Sequence, residues 1–281
     1  MRFRAFGPTG KQVSAVGQGT WNMERDGREA AVAALRHGLD LGMTHVDTAE
    51  MYGEGKVEIL VREAVSNRRD EVFLVSKVLP SNASRQGVVQ ACERSLRRLG
   101  TDHLDSYLLH WPSRHPLEDT LAAFEELRAA GKIRSWGLSN FDEEDLAEAI
   151  RIAGEGKIAC NQVLYHLEER AIEHAVIPFC AEHAIAVVAY SPFGSGNFPG
   201  PRTPGGQVLA GIGAAHGATP HQVALAFLLR FSSLFVIPKA GRPDHAEENA
   251  GAAEIRLTEE EVNRIDQSFP RGRRKRGLPT L

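Results

Sequence analysis

The sequence predicts an α/β fold, a (β/α)₈ TIM barrel carrying an N-terminal β-hairpin, and three observations carry that expectation. Eight short apolar runs alternate with helical patterns. The runs are apolar on both faces, as in the strands of a parallel sheet covered on both sides. No linker, repeat or break in composition divides the 281 residues, which favours one barrel domain spanning 1–281 over two smaller units.

The elements follow in order. A hairpin turns at Pro8-Thr9-Gly10-Lys11 and leads into a first strand at 15–19. Further strands are expected at 43–47, 72–77, 106–110, 133–138, 159–164, 185–190 and 234–238. Apolar residues recurring every three to four positions predict helices at 29–41, 56–65, 85–99, 120–130, 143–153, 172–183, 222–230, 247–255 and 259–267. One Gly- and Pro-rich stretch, 191–206, is read as irregular, and a connection that long in a barrel is functional or mobile.

Bulk composition narrows the function classes. A chain of this length buries enough surface to need neither disulfides nor a structural metal. The net charge of −3 argues against nucleic acid or an anionic membrane as partner. Three widely spaced cysteines (Cys92, Cys160, Cys180) without a CxxC fit a reducing compartment. No apolar run has the form of a signal peptide or a membrane span, so a cytoplasmic protein is expected, a monomer with oligomers left open. A basic tail at about 271–281, Arg271-Gly272-Arg273-Arg274-Lys275-Arg276 at its core, is read as a solvated chain end rather than a nucleic-acid patch.

In such a barrel the site lies at the carboxyl ends of the strands, so polar residues that end apolar strands are the candidates. The second strand ends in Asp47, the third in Lys77 and the fourth in His110, and Tyr52 follows Asp47 closely. Each has a plain structural alternative: a loop cap, a rim histidine, a packed aromatic. Together they are harder to dismiss, because a buried Lys or Asp is rare unless paired, and Lys77 with Asp47 satisfies both. An ammonium beside Tyr52 is expected to draw its phenol below the usual value of about 10. A phenol so tuned can protonate a carbonyl oxygen, with His110 donating a hydrogen bond to the same atom. Hydride must then come from a cofactor. No Rossmann fingerprint is present: Gly17-Gln18-Gly19-Thr20-Trp21-Asn22 lacks the third glycine. The loops after strands seven and eight, Tyr190-Ser191-Pro192-Phe193-Gly194-Ser195 and Lys239-Ala240-Gly241-Arg242, are the alternative anion sites, or else ordinary connections. A metal-dependent barrel hydrolase would show clustered ligands such as His-x-His, which none of the eleven histidines forms.

These segments, with the run from Gly38 to Ala49, Tyr52-Gly53, Leu108-Leu109-His110-Trp111-Pro112, Gly137-Leu138-Ser139-Asn140-Phe141, Asn161-Gln162 and Ile237-Pro238-Lys239, resemble the aldo-keto reductase superfamily over essentially the whole chain. The resemblance implies a catalytic quartet of Asp47, Tyr52, Lys77 and His110, a small-molecule carbonyl substrate, and NADPH as cofactor, with NADH possible. It implies a nicotinamide stacked on Tyr190 and held by Ser139, Asn140 and Gln162, near Gly19, Thr20 and Trp21. Ser191, Phe193 and Ser195 would line the pyrophosphate path, with Lys239 at the 2′-phosphate and Glu248 and Asn249 near the adenine. Trp21 and Trp111 would wall the substrate, beside Tyr52 and His110. The sequence departs from the family where Ala240 replaces the usual hydroxyl residue and His245 an arginine, which weakens the expected grip on a 2′-phosphate; Arg242 lies near enough in sequence to substitute. The same fold also resembles potassium-channel β-subunits, so a non-catalytic NADPH-binding regulatory subunit is the alternative. The C-terminal segment expected over the pocket is short and carries no interpretable motif.

Overall fold

The first two strands, β1 (Phe3–Ala5) and β2 (Gln12–Ser14), pair antiparallel with Phe3 opposite Ser14 and Ala5 opposite Gln12, forming the predicted hairpin. The computed structural model describes residues 1–274 and 277–281; Lys275 and Arg276 of the basic tail lie outside the described residues. At Gly7 a Cβ would stand 2.1 Å from the Ala159 carbonyl oxygen, so only glycine lets the hairpin seat this closely on the barrel floor.

Eight parallel strands follow: β3 (Gln18–Gly19), β4 (His45–Asp47), β5 (Phe73–Val78), β6 (Leu104–Leu109), β7 (Ile133–Ser139), β8 (Ile158–Leu164), β9 (Ala186–Tyr190) and β10 (Leu234–Val236), each beside the next. Parallel bridges Val16–Val236 and Gly19–Lys239 close the sheet. At that seam Gly17 N–H donates to the Val236 carbonyl at 2.8 Å, and a Cβ on Gly19 would meet the Ile237 carbonyl oxygen at 2.4 Å. The first strand's glycines therefore serve barrel closure.

Strand alternation builds the interior in layers. Phe6 from the hairpin plugs the floor against His45, Phe73 and Phe235, with ring centroids 5.6, 4.6 and 5.1 Å away. Above them lie Val75, Leu108, Cys160, Val188 and Ile237. Two residues further along their strands come Lys77, His110, Gln162 and Tyr190, with Asp47 two beyond His45. The intervening Val46, Leu74, Tyr107, Leu109, Val187 and Val236 face the helices in a separate outer core.

The helices are α1 (Arg28–Asp40), α2 (Lys56–Val65), α3 (Arg85–Leu99), α4 (Leu117–Ala129), α5 (Glu143–Ala153), α6 (Val176–Glu182), α7 (Pro204–His216), α8 (Pro220–Leu228), α9 (Pro243–Gly251) and α10 (Glu259–Ser268). Capping boxes at Asp142, Thr219 and Thr258 start α5, α8 and α10. Helix α7 corrects the expectation of an irregular stretch to 206. Thr203 Oγ1 accepts from Gly206 N–H at 3.0 Å and Pro204 takes the first turn, where a missing N–H costs nothing. Gly205 and Gly206 are there for space, since a Cβ at 205 would lie 2.4 Å from the Phe269 ring. The expected helix at 172–183 divides into a 3₁₀ turn at Ala171–Glu173 and α6. Helix α9 begins four residues earlier than the expected 247 because Pro243 opens it.

His45 makes the barrel floor sensitive to acid. Neither ring nitrogen has a hydrogen-bond partner among the described residues, and burial pushes the imidazole down to about 4. The folded state keeps His45 neutral while the unfolded chain takes up a proton below about 6.5. The unfolded state thus binds more protons between those values, and stability falls as pH drops, by about 3 kcal/mol near pH 4. His45→Leu should therefore gain on the wild type as pH falls from 7 to 4 in parallel denaturation curves. A difference constant across that range would refute the assignment.

Candidate active site

A cavity of about 980 Å³ opens at the carboxyl ends of the strands, at the upper end of the range for small-molecule sites. Lys77, the last inward residue of β5, is fully buried behind Asp47 and Tyr52, which line the cavity. Its ammonium donates to Asp47 Oδ1 at 2.5 Å, the Thr48 carbonyl at 2.9 Å and the Tyr52 hydroxyl at 3.1 Å, which uses all three protons. Asp47 Oδ2 accepts from Gln162 Nε2 at 2.8 Å, so the carboxylate is held from both sides. Tyr52 arrives on a turn in which Gly53, Glu54 and Gly55 take φ values of 53°, 56° and 87°. That left-handed run swings the chain from β4 into α2. The Tyr52 and His110 rings meet edge to face at 5.7 Å.

Burial governs the electrostatics. It raises the Tyr52 phenol above its ordinary value, and Lys77 only partly offsets this. This corrects the expectation of a lowered phenol: a phenolate this deeply buried loses more solvation than one shared ammonium returns. Burial works to lower Lys77, yet Asp47 and Tyr52 outweigh it and hold the lysine above its usual value. Burial, aided by the Lys77 charge, takes His110 down to about 2. The imidazole is neutral at ordinary pH, and its Nδ1 has no partner among the described residues.

Beside this quartet the β7 and β8 ends form a polar wall. Ser139 Oγ donates to the Gln162 carbonyl at 2.9 Å, and Asn140 Nδ2 to the His110 carbonyl at 3.0 Å. The Tyr190 hydroxyl donates to Asn140 Oδ1 at 2.9 Å, which orients the ring at the end of β9; burial pushes that phenol up to about 12. Asn140 holds φ at 62°, a left-handed conformation that asparagine tolerates better than most residues. The loop after β9 turns through Ser191, Gly194, Ser195 and Gly196, all at positive φ.

Of the residues expected from the sequence, Gly19, Thr20, Trp21, Asp47, Tyr52, His110, Trp111, Ser139, Asn140, Gln162, Tyr190, Ser191, Phe193, Ser195 and Lys239 line this one cavity. Lys77, which reaches it only through Asp47 and Tyr52, does not, nor do Ala240, His245, Glu248 and Asn249. Glu248 instead accepts from Thr219 Oγ1 at 2.6 Å at the start of α8. Arg242 is turned to Asp244, and His245 sits 3.5 Å from Arg242. Lys239 is the one lysine or arginine among the described residues of the wall, and its Nζ pairs with Asp26 Oδ2 at 2.5 Å. Sequence reasoning missed Asp26, Met51, Asp142, Asp145 and the tail residues Gly277, Leu278, Thr280 and Leu281, which also line the cavity except for Asp26. No periodicity marks a tail whose place depends on Arg170, which grips the Phe269 carbonyl at 2.5 Å and Asp266 at 2.6 Å.

The cavity suits a dinucleotide on its own features. It has an oriented aromatic face at Tyr190, an amide wall beside it, and one cation, Lys239, for an anionic group. Among the described residues no three His, Cys, Asp or Glu side chains converge as metal ligands, and no helix is long and apolar enough to cross a membrane.

Residues 15–269 match the sequence model of the aldo/keto reductase family. The chain is 44% identical to methylglyoxal reductase YeaE of Escherichia coli over 95% of its own length and 94% of that protein's. It superposes on an aldo/keto reductase from Klebsiella pneumoniae solved with NADP and acetate with a TM-score of 0.92, at 40% identity and full coverage of both chains. A crystal structure from the same organism in complex with NADPH superposes equally well, with a TM-score of 0.92 at 41% identity over 100% of both chains.

Proposed function

The chain belongs to the aldo/keto reductase family, and from that premise we propose that it reduces aldehydes and ketones to alcohols with NADPH, Tyr52 delivering the proton. The observation that carries the reading is the Tyr52 hydroxyl 3.1 Å from an ammonium that Asp47 holds in turn at 2.5 Å, on the wall of a cavity fit for a dinucleotide. NADPH, when bound, supplies the hydride to the carbonyl carbon. Tyr190 would carry the nicotinamide ring on its face, and Ser139 and Asn140 would hold the carboxamide, with Gln162 already tied to Asp47. Neutral His110 donates a hydrogen bond that holds the carbonyl oxygen toward Tyr52. As hydride reaches carbon, the O–H bond of Tyr52 breaks, its proton passes to the carbonyl oxygen, and Lys77 stabilises the phenolate left behind. Tyr52 then recovers a proton from water. Trp21, Trp111 and Met51 wall the mouth, each about two-fifths exposed or slightly less, and suit small or aromatic aldehydes. The likeness to a methylglyoxal reductase supports small dicarbonyls among them.

Lys239 supplies one point charge to a 2′-phosphate where a bidentate arginine would add geometry, so NADPH is preferred over NADH only modestly. The deciding experiment is a panel of methylglyoxal, aromatic aldehydes and simple ketones, assayed with NADPH and NADH in parallel. Multiple turnovers with NADPH are expected. Cofactor binding without turnover on any carbonyl would favour a regulatory subunit instead. Because the Tyr52 phenol is raised and His110 falls to about 2, kcat for reduction at saturating NADPH should be flat from about pH 5 to about pH 9. It should decline only above the ordinary tyrosine range, where Tyr52 loses its proton. An inflection near 6.5 would overturn the neutral role given to His110.

A further inference from the structure

We infer that Asp26 sets how strongly this protein distinguishes a dinucleotide with a 2′-phosphate from one without it, by competing with that phosphate for Lys239. The inference rests on the dinucleotide reading above and goes beyond it, because Asp26 belongs to no recognised part of the site. Asp26 ends the 3₁₀ turn Met23–Arg25 in the loop after β3. Its Oδ2 lies 2.5 Å from Lys239 Nζ, with the two side chains 24% and 34% exposed.

The carboxylate is seated in the loop after β10. A Cβ on Gly241 would stand 2.5 Å from Asp26 Cγ, so the absence of a side chain there makes room for it. The pair spans the seam where the Gly19–Lys239 bridge closes the barrel. Neighbouring cations are engaged elsewhere: Arg242 with Asp244, Arg28 with Glu63 at 2.7 Å, and Arg25 beside Glu24 at 3.7 Å. Lys239 is thus Asp26's partner, and Asp26 holds the place at Lys239 that an incoming phosphate needs.

The two cofactors meet this carboxylate differently. A 2′-phosphate must displace Asp26 from Lys239 or settle beside a like charge, and either weakens its binding. A ribose 2′-hydroxyl can donate a hydrogen bond to the same carboxylate, which accepts but cannot donate. Asp26 therefore narrows the gap between NADPH and NADH, in the direction that Ala240 and His245 already set.

The test is the dissociation constant of NADPH, NADH, 2′,5′-ADP and 5′-AMP, by calorimetry, for the wild type, Asp26→Asn, Asp26→Ser and each change combined with Lys239→Gln. Asp26→Asn keeps the side-chain shape, and a wild-type melt will show the fold intact; Asp26→Ser repeats the charge change with a different shape. Both should tighten NADPH and 2′,5′-ADP about tenfold and leave NADH and 5′-AMP within about twofold or weaker. In the Lys239→Gln background most of that gain should vanish, because the two residues act as a pair. Weaker NADPH binding in both Asp26 variants would mean that Asp26 orients Lys239 for the phosphate, and would overturn the inference. So would equal changes for both cofactors. A wild type that binds neither dinucleotide would overturn the functional reading and this inference with it. A wild type that binds NADPH, with an unchanged NADPH-to-NADH ratio in the variants, would overturn this inference alone.

Discussion

Tyr52→Phe should lower kcat for carbonyl reduction by about 10²–10⁴, the usual worth of a positioned general acid. The change removes one hydroxyl and keeps the ring that packs on His110. Lys77 retains Asp47 and the Thr48 carbonyl as acceptors, so the fold should lose no more than about 1 kcal/mol. Dissociation constants for NADPH should stay within about twofold, which separates chemistry from binding. Single-turnover and steady-state rates, read beside cofactor titrations, check this. A variant that keeps more than half of the wild-type kcat would remove Tyr52 from the proton-donor role.

Lys77→Met should be the most damaging single change, because it acts on fold and chemistry together. Asp47 is 1% exposed and would keep, among the described residues, only Gln162 as a side-chain hydrogen-bond partner. Removing one member of a buried ion pair leaves an uncompensated charge and costs about 3–5 kcal/mol. Turnover should be nearly abolished. Pairing the change with Asp47→Asn separates the two effects, since the double variant no longer buries a lone charge. Most of the stability should return in denaturant titrations while the rate does not. A double variant that recovers both would make Lys77 and Asp47 a structural pair without part in the reaction.

Most of the helices and all eight barrel strands were legible because each depends on patterns local in the chain. Apolar runs of four to seven residues mark strands, and periodicity near 3.6 marks helices. That Asp47, Tyr52, Lys77 and His110 come together was legible for a related reason. Strand alternation carries an inward series upward, His45 to Asp47, Val75 to Lys77 and Leu108 to His110, so a polar residue at the top of an apolar strand faces the cavity. Helix α7 was not legible as an element, because Gly205 and Gly206 read as loop residues until the Phe269 ring and the Gly200 carbonyl are seen to leave no room for their side chains.

Pattern along the chain was enough for the barrel and for the layer of polar strand ends that carries the proposed proton donor. Tertiary structure decided their electrostatic state and their partners. Lys77 was expected to lower the Tyr52 phenol, yet burial raises it, and burial is set by every element packed around the ring. His110 is neutral for the same reason. Asp26 and Lys239 lie near opposite ends of the chain and meet because the last strand closes onto the first. The tail reaches the cavity through Arg170 and the end of α10. Charge and solvation act through space over a few ångströms, so they follow which segments the closed barrel brings together, while periodicity acts along the chain and is written in it directly.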